Sequence, residues 1–221
     1  MILLPKKNKE GVPYISYSQY KLWKEIQSFN LKIEGKLEYF ATYFLGYRFP
    51  DVGWGEFGEQ VESYITERRF GDWFTEEEKK VMNRIEPLGL FQYEVELKLD
   101  GFNILGYIDD AKPDFSRIRD YKTGSISSLG QYKKAEYYQT DIYSAAIKQM
   151  HGITPEAEVC SIERKGNCMY GGGRANLSVG NEINYIPRII TDERMDFIVE
   201  DITKAAKEIS EWYEIFMQFN K

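Results

Sequence analysis

The chain has 221 residues, 43% apolar and 15% aromatic, with a formal charge of −6. That composition suits one folded domain with a substantial core and excludes global disorder. It also lacks the strongly basic balance of a protein that coats nucleic acid, although residues 112–175 carry 10 Lys/Arg against 7 Asp/Glu while the rest carries 19 against 28. The polar start with Lys6, Lys7, Lys9 and Glu10 does not read as a signal segment, and no run of 18 apolar residues predicts a membrane span. The expected setting is cytoplasmic or host-cell intracellular, away from membranes.

A helical region is expected over about residues 16–90. Ser18 reads as the N-cap of a first helix over 19–29, with Tyr20, Trp23 and Ile26 on its packing face. Residues 35–50 predict a second helix and a turn, and 51–55 a loop. A helix over 56–69 presents Val61, Tyr64 and Ile65, with Glu62 at the edge of its buried side. Thr75 and Glu78 form a capping box for a short helix to about Ile85.

The sheet signal begins near Phe91. Tyr93, Val95, Leu97 and Leu99 alternate with charged residues, and Asp100-Gly101 is a two-residue hairpin turn. A return strand over 102–110 and a third over 117–122 complete a meander. Residues 131–150 predict one helix, with Ala135, Ile142, Ala145 and Ala146 packing and Gln139 and Tyr143 as i,i+4 neighbours. His151 closes it before Gly152. Residues 157–163 and 184–190 read as strands around an irregular excursion. A last helix over 192–216 carries an apolar stripe that includes Ile198, Ile202 and Ile209. Cys160 and Cys168 are expected as free, partly buried thiols.

The chemistry concentrates in the meander. Residues i and i+2 of a strand share a face, so Asp120 and Lys122 project together. Asp109, at the end of the preceding strand, can converge with Asp120 if the two strands pair; Asp110 competes with it on sequence alone. Glu62 is available from the earlier helix, with Glu59 as its neighbour. Hard carboxylate oxygens favour Mg²⁺ or Mn²⁺, which suits cutting a phosphodiester. Lys122 can stabilise developing negative charge or position the attacking water.

In this order the motifs resemble the PD-(D/E)xK nuclease superfamily, in particular its RecB-like exonuclease branch and the related CRISPR-associated exonucleases. Gly106-Tyr107-Ile108-Asp109 is similar to the first acid motif, and Asp120-Tyr121-Lys122-Thr123-Gly124 to the second acid and lysine motif. Gln139-Thr140-Asp141-Ile142-Tyr143 resembles the following Gln-x-x-x-Tyr helix motif, and 57–62 the earlier helix motif ending in Glu62. The resemblance spans about residues 16–163 and selects Asp109 over Asp110.

The resemblance implies an α/β restriction-endonuclease-like core: a central mixed sheet flanked by helices, in one domain over 1–221 with core motifs at 91–163. It implies metal-dependent DNA cleavage, with Asp109, Asp120 and Glu62 as Mg²⁺ or Mn²⁺ ligands and Lys122 as the catalytic cation. Gln139 and Tyr143 then shape the site or hold the DNA backbone. Two cysteines cannot supply the four ligands of the iron–sulfur members, so no iron–sulfur cluster is expected. A compact phage or bacterial recombination or repair exonuclease fits best. A structure-specific or nicking endonuclease and an inactive DNA-binding or assembly subunit are the alternatives. DNA is the expected partner, with a second copy of the chain or a recombination protein left open. The glycine run 171–173 with Arg164, Lys165 and Arg174 reads either as a DNA-contacting loop or as an exposed hairpin connection.

Overall fold

The computed structural model describes residues 2–45, 53–168 and 176–219. Its elements run β1 (Tyr14–Ile15), α1 (Tyr17–Ser28), α2 (Ile33–Tyr39), one π-helical turn, α3 (Trp54–Glu67), α4 (Glu76–Met82), β2 (Leu90–Leu99), β3 (Phe102–Ala111), β4 (Arg117–Gly124), α5 (Leu129–Lys133), α6 (Gln139–His151), β5 (Glu156–Lys165), β6 (Ser178–Arg188) and α7 (Asp192–Phe219). The six strands form one mixed sheet, β1-β3-β4-β5-β6, with β2 also paired to β3. Hairpin β2/β3 is antiparallel, whereas β4 and β5 are parallel through the α5–α6 crossover. This is the mixed α/β core flanked by helices that the resemblance implies.

Apolar periodicity assigns the two faces. Trp23 of α1, Ile142, Ala146 and Ile147 of α6 and Ile198, Ile202 and Ile209 of α7 join Ile104, Ile108 and Ile118 of the sheet in one core. Phe57, Val61 and Ile65 of α3 and Met82 of α4 cover Tyr121, Cys160 and Ile162 on the other face. Both cysteines are free and buried. No helix among the described residues is long and apolar enough to cross a membrane.

Several boundaries differ from the sequence expectation. Helix α1 is capped by Ser16, not Ser18: the Ser16 hydroxyl accepts the Gln19 N–H and the Gln19 side chain accepts the Ser16 N–H. That reciprocal pair satisfies two backbone donors, which a cap at Ser18 could not do with Lys21, a donor only, at its third position. Helix α4 stops at Met82, short of Ile85.

The expected helix over 131–150 is broken into α5 and α6, with residues 134–138 between them and Ala135 exposed. The carbonyls freed by the break are taken by two arginines from far along the chain. Arg188 donates to the Tyr132, Lys134 and Tyr137 carbonyls, and Arg194 to that of Ala135. A buried helix end needs such partners. The strand expected at 184–190 begins earlier, at Ser178, and the run Gly171–Arg174 lies outside the described residues.

Candidate active site at the β3–β4 divergence

The edge of β3 is shared. β1 pairs with it at Asn103 and Ile104, and β4 only at Asp110 and Ala111. Beyond those two pairs β4 diverges. The Tyr121 N–H then donates to Asp109 Oδ2 at 2.8 Å instead of to a backbone carbonyl. A carboxylate thus sits in the fork between the strands, where a ladder bond would otherwise be.

A phase reversal places it there. Phe102, Ile104 and Ile108 follow strand alternation into one core, yet Ala111 enters the same core three residues on. On β2, Val95, Leu97 and the partly buried Tyr93 keep one phase, whereas Leu90 takes the other. The slip falls at Asp109 and Gln92, between the pairs Phe91↔Asp110 and Tyr93↔Ile108. Gln92 sits at φ 47, a left-handed conformation uncommon for a residue with a Cβ. Such local strain is held only where the surroundings fix it, and it clusters at functional sites. The Gln92 side chain donates to Glu62 Oε1.

The same slip separates Asp109 from Asp110. Asp110 is fully buried, accepts the Leu88 and Gly89 N–H groups and the Tyr121 hydroxyl, and faces Arg119. Arg119 in turn holds Glu158 at 2.6 Å and the Glu86 carbonyl at 2.7 Å. This network ties the 86–89 turn to the sheet, so Asp110 has a structural role there.

Asp120 is the most constrained of the acids on the site face. Lys122 Nζ donates to its Oδ1 at 2.7 Å, and the Tyr137 hydroxyl to its Oδ2 at 2.8 Å. The Tyr137 oxygen is also 3.0 Å from Gln139 Oε1, and Gln139 Nε2 donates to the Tyr143 hydroxyl at 3.1 Å. Tyr143 reaches this chain by packing closely against β3 at Gly106. A Cβ there would stand 2.6 Å from Tyr143 Cε1. The glycine that closes the second motif has a similar reason: a Cβ on Gly124 would meet Ser128 Oγ at 2.3 Å. Both motif glycines therefore make room for the segments that carry and follow the site.

Electrostatics bind the four predicted residues into one group. Burial pushes the Asp109 carboxyl well above its usual range, and the charge of Asp120 adds to the rise, with Lys122 opposing it. Burial also raises Glu62, against the Gln92 hydrogen bond and the Lys122 charge. Lys122 itself is held protonated: burial disfavours its charge, but Asp120 and Asp109 outweigh that.

Among the described residues no three His, Cys, Asp or Glu side chains are closed into a ready metal-binding group. Each acid is engaged by a neighbour: Glu62 by Gln92, Asp109 by the Tyr121 N–H and Asp120 by Lys122 and Tyr137. The donor chemistry nonetheless fits a hard divalent cation. Three carboxylates share one field, and two are raised by burial and mutual repulsion, which a cation would offset.

Residues outside the motifs complete the picture. Tyr137 and Gln92 were not singled out by the sequence; the only signal for Tyr137 is its position two before Gln139. Glu59 is exposed, unlike Glu62. Arg164 is half-buried with its guanidinium 4.9 Å from the Trp54 ring, on the α3 face, and Lys165 is exposed at the end of β5. Arg174 lies outside the described residues. A cleft of about 910 Å³ opens beside Lys122 and Gln139.

The fold has a counterpart among solved structures. It is similar to the crystal structure of a "putative exonuclease" from Eubacterium rectale, with a TM-score of 0.52, 16% identity, and coverage of 91% of this chain and 80% of that one. At that identity the likeness establishes a common fold. No family model and no curated protein matches the chain.

Proposed function

We propose that this chain is a Mg²⁺- or Mn²⁺-dependent deoxyribonuclease that hydrolyses phosphodiester bonds from a DNA end. The observation that carries the reading is the gathering of Glu62, Asp109, Asp120 and Lys122 at the β3–β4 divergence. The fold similarity to the Eubacterium rectale protein supports it at a coarser level.

Asp109, Asp120 and Glu62 would hold the metal through carboxylate oxygens. When bound, such an ion polarises the scissile phosphate and acidifies a water. The chain's own residues divide the remaining work. Lys122, protonated and next to Asp120, offers positive charge to the phosphate oxygens as negative charge develops on them. Tyr137 fixes the orientation of the Asp120 carboxylate, and Gln139 and Tyr143 fix Tyr137. Gln92 holds Glu62 at the rim.

The test is digestion of end-labelled single- and double-stranded DNA with Mg²⁺ and with Mn²⁺, beside covalently closed circles. Progressive loss of label from linear DNA with intact circles is expected. Cutting of circles would assign an endonuclease instead. DNA binding without cleavage under either metal would overturn the catalytic reading.

A further inference from the structure

The 910 Å³ cleft beside Lys122 runs outward from the site between α1, residues 131–139 and α7. Two features of its walls point to one kind of occupant. The first is aromatic. Tyr138 and Phe197 line it with ring centroids 5.6 Å apart and rings tilted by 45°. Phe197 is 54% exposed, and the residues three and four positions from it on α7 are Glu193, Arg194, Glu200 and Asp201. Its partner is held in place: the Arg194 guanidinium lies 5.1 Å from the Tyr138 ring and is itself paired with buried Asp141 at 2.7 Å. Together the two side chains give the cleft wall a pair of adjacent aromatic rings beside its lysines.

The second feature is charge and its placement. Lys21 and Lys134 are exposed on opposite walls, and Lys122 lies at the inner end. Acids line the cleft too. Asp201 is paired with Lys24 and Lys122 with Asp120, leaving Glu25 and Glu136 against Lys21 and Lys134. The balance is even, so Lys21 and Lys134 can each meet a phosphate while the cleft lacks the strong positive field needed to hold a whole duplex.

We infer that the cleft is the path of a single DNA strand leading to the site, with unpaired bases stacking on Phe197 and Tyr138 and backbone phosphates meeting Lys21 and Lys134. Ring faces can serve only bases whose own faces are uncovered. In a duplex the neighbouring pairs cover them, while in a single strand they are open. The cleft's continuity with Lys122 and Gln139 aims such a strand at the β3–β4 divergence. This inference rests on the nuclease reading for its direction but not for its measurement.

The experiment is binding of a fluorescein-labelled dT12 strand by anisotropy in EDTA, where no cleavage occurs, beside a 12-base-pair duplex and a 12-unit abasic strand. The dT12 strand should bind at least about tenfold tighter than either, because stacking on aromatic rings is worth a factor of about 5 to 160 per base. Phe197→Ala should weaken dT12 by that factor and leave the abasic strand unchanged. Lys21→Ala and Lys134→Ala should each reduce the salt slope by about 0.7, one phosphate contact on a single strand. All three positions are on the surface, and thermal melts confirm that the variants are folded. Equal affinity for the duplex or the abasic strand, or dT12 binding unmoved by Phe197→Ala, overturns the inference. If DNA is cleaved while the strand preference is absent, the track falls and the nuclease reading stands. If dT12 is bound with the predicted sensitivities and nothing is cleaved, the track stands and the catalytic reading falls.

Discussion

Tyr137 donates its hydroxyl proton to Asp120 Oδ2 at 2.8 Å, opposite the Lys122 ammonium on Oδ1. The carboxylate is thus clamped from both sides, and its orientation is fixed before any ligand arrives. Burial and the Asp120 charge both hold the Tyr137 phenol protonated, so it remains a donor throughout the working pH range. Tyr137→Phe removes the donor and keeps the ring. The expected result is a native melting profile with a loss of about 10- to 100-fold in metal affinity or cleavage rate, as for other partners that orient ligands. The half-saturating Mn²⁺ concentration in single-turnover cleavage checks it. An unchanged metal requirement and rate would remove Tyr137 from the site.

Asp120 and Lys122 should fail differently. Asp120→Ala deletes an oxygen donor and leaves Lys122 without its 2.7 Å partner, so metal affinity and turnover should fall together. Lys122→Ala should retain most metal affinity and lose about 10²- to 10³-fold in the chemical step, the typical weight of one stabilising donor. Metal titration with single-turnover cleavage separates the two, with folding checked by circular dichroism. Loss of metal binding in a folded Lys122→Ala variant would contradict the division of roles.

How much of this was legible follows from the range of the interactions involved. The β2/β3 hairpin and the shared face of Asp120 and Lys122 rest on period-two alternation and one Asp-Gly turn, both local signals. The Ser16–Gln19 cap is equally local, two residues before the expected Ser18. The break between α5 and α6 was not local. It depends on Arg188 and Arg194, more than fifty residues downstream, binding the carbonyls of 132–137. Tyr137 reaches Asp120 only because of that break. Gln92 sits inside an apparently regular alternation, and nothing in its neighbours announces φ 47.

Gly106 offers a test of packing rather than charge. A Cβ at 2.6 Å from Tyr143 Cε1 cannot be accommodated unless the ring or the strand moves. Gly106→Ala should cost about 1–3 kcal/mol of stability, as other overpacked core positions do. It should also impair cleavage, because Tyr143 is hydrogen-bonded to Gln139 and through it to Tyr137. Adding Tyr143→Ala should relieve the clash, so the double variant should be more stable than the two single losses predict. Urea midpoints for the four proteins of this cycle measure it; strict additivity would deny the contact.

The cysteines give a prediction that needs no assay of function. Cys160 is fully buried on β5, and burial pushes its thiol up to about 12. Cys168 is buried beside the same core. At pH 8 the native protein should therefore react with iodoacetamide far more slowly than the urea-unfolded chain at both positions, since the thiolate is the reacting species and access is closed. Intact-mass measurement over time reads the difference. Rapid double labelling under native conditions would show that this side of the sheet is open.

The α1–α7 junction should set an acid limit on stability. Asp201 on α7 accepts the Tyr20 hydroxyl at 2.5 Å and lies 3.0 Å from Lys24 Nζ. Burial alone would raise its carboxyl, but the hydrogen bonds from Tyr20 and Lys24 outweigh that and hold it below the usual range. A carboxylate depressed in the folded state contributes stability above its unfolded value of about 3.9 and loses it as the pH falls through the folded value. Asp201→Asn should therefore cost about 1 kcal/mol at pH 7, the figure for a partly exposed charge-assisted hydrogen bond after solvent screening. The gap between the two proteins should narrow below pH 4 as the wild-type carboxylate takes up its proton. Melting temperatures of both proteins from pH 7 down to pH 3 test the sign. A gap that stays constant would mean that the Asp201 charge contributes nothing to the junction, and that geometry alone holds α1 on α7.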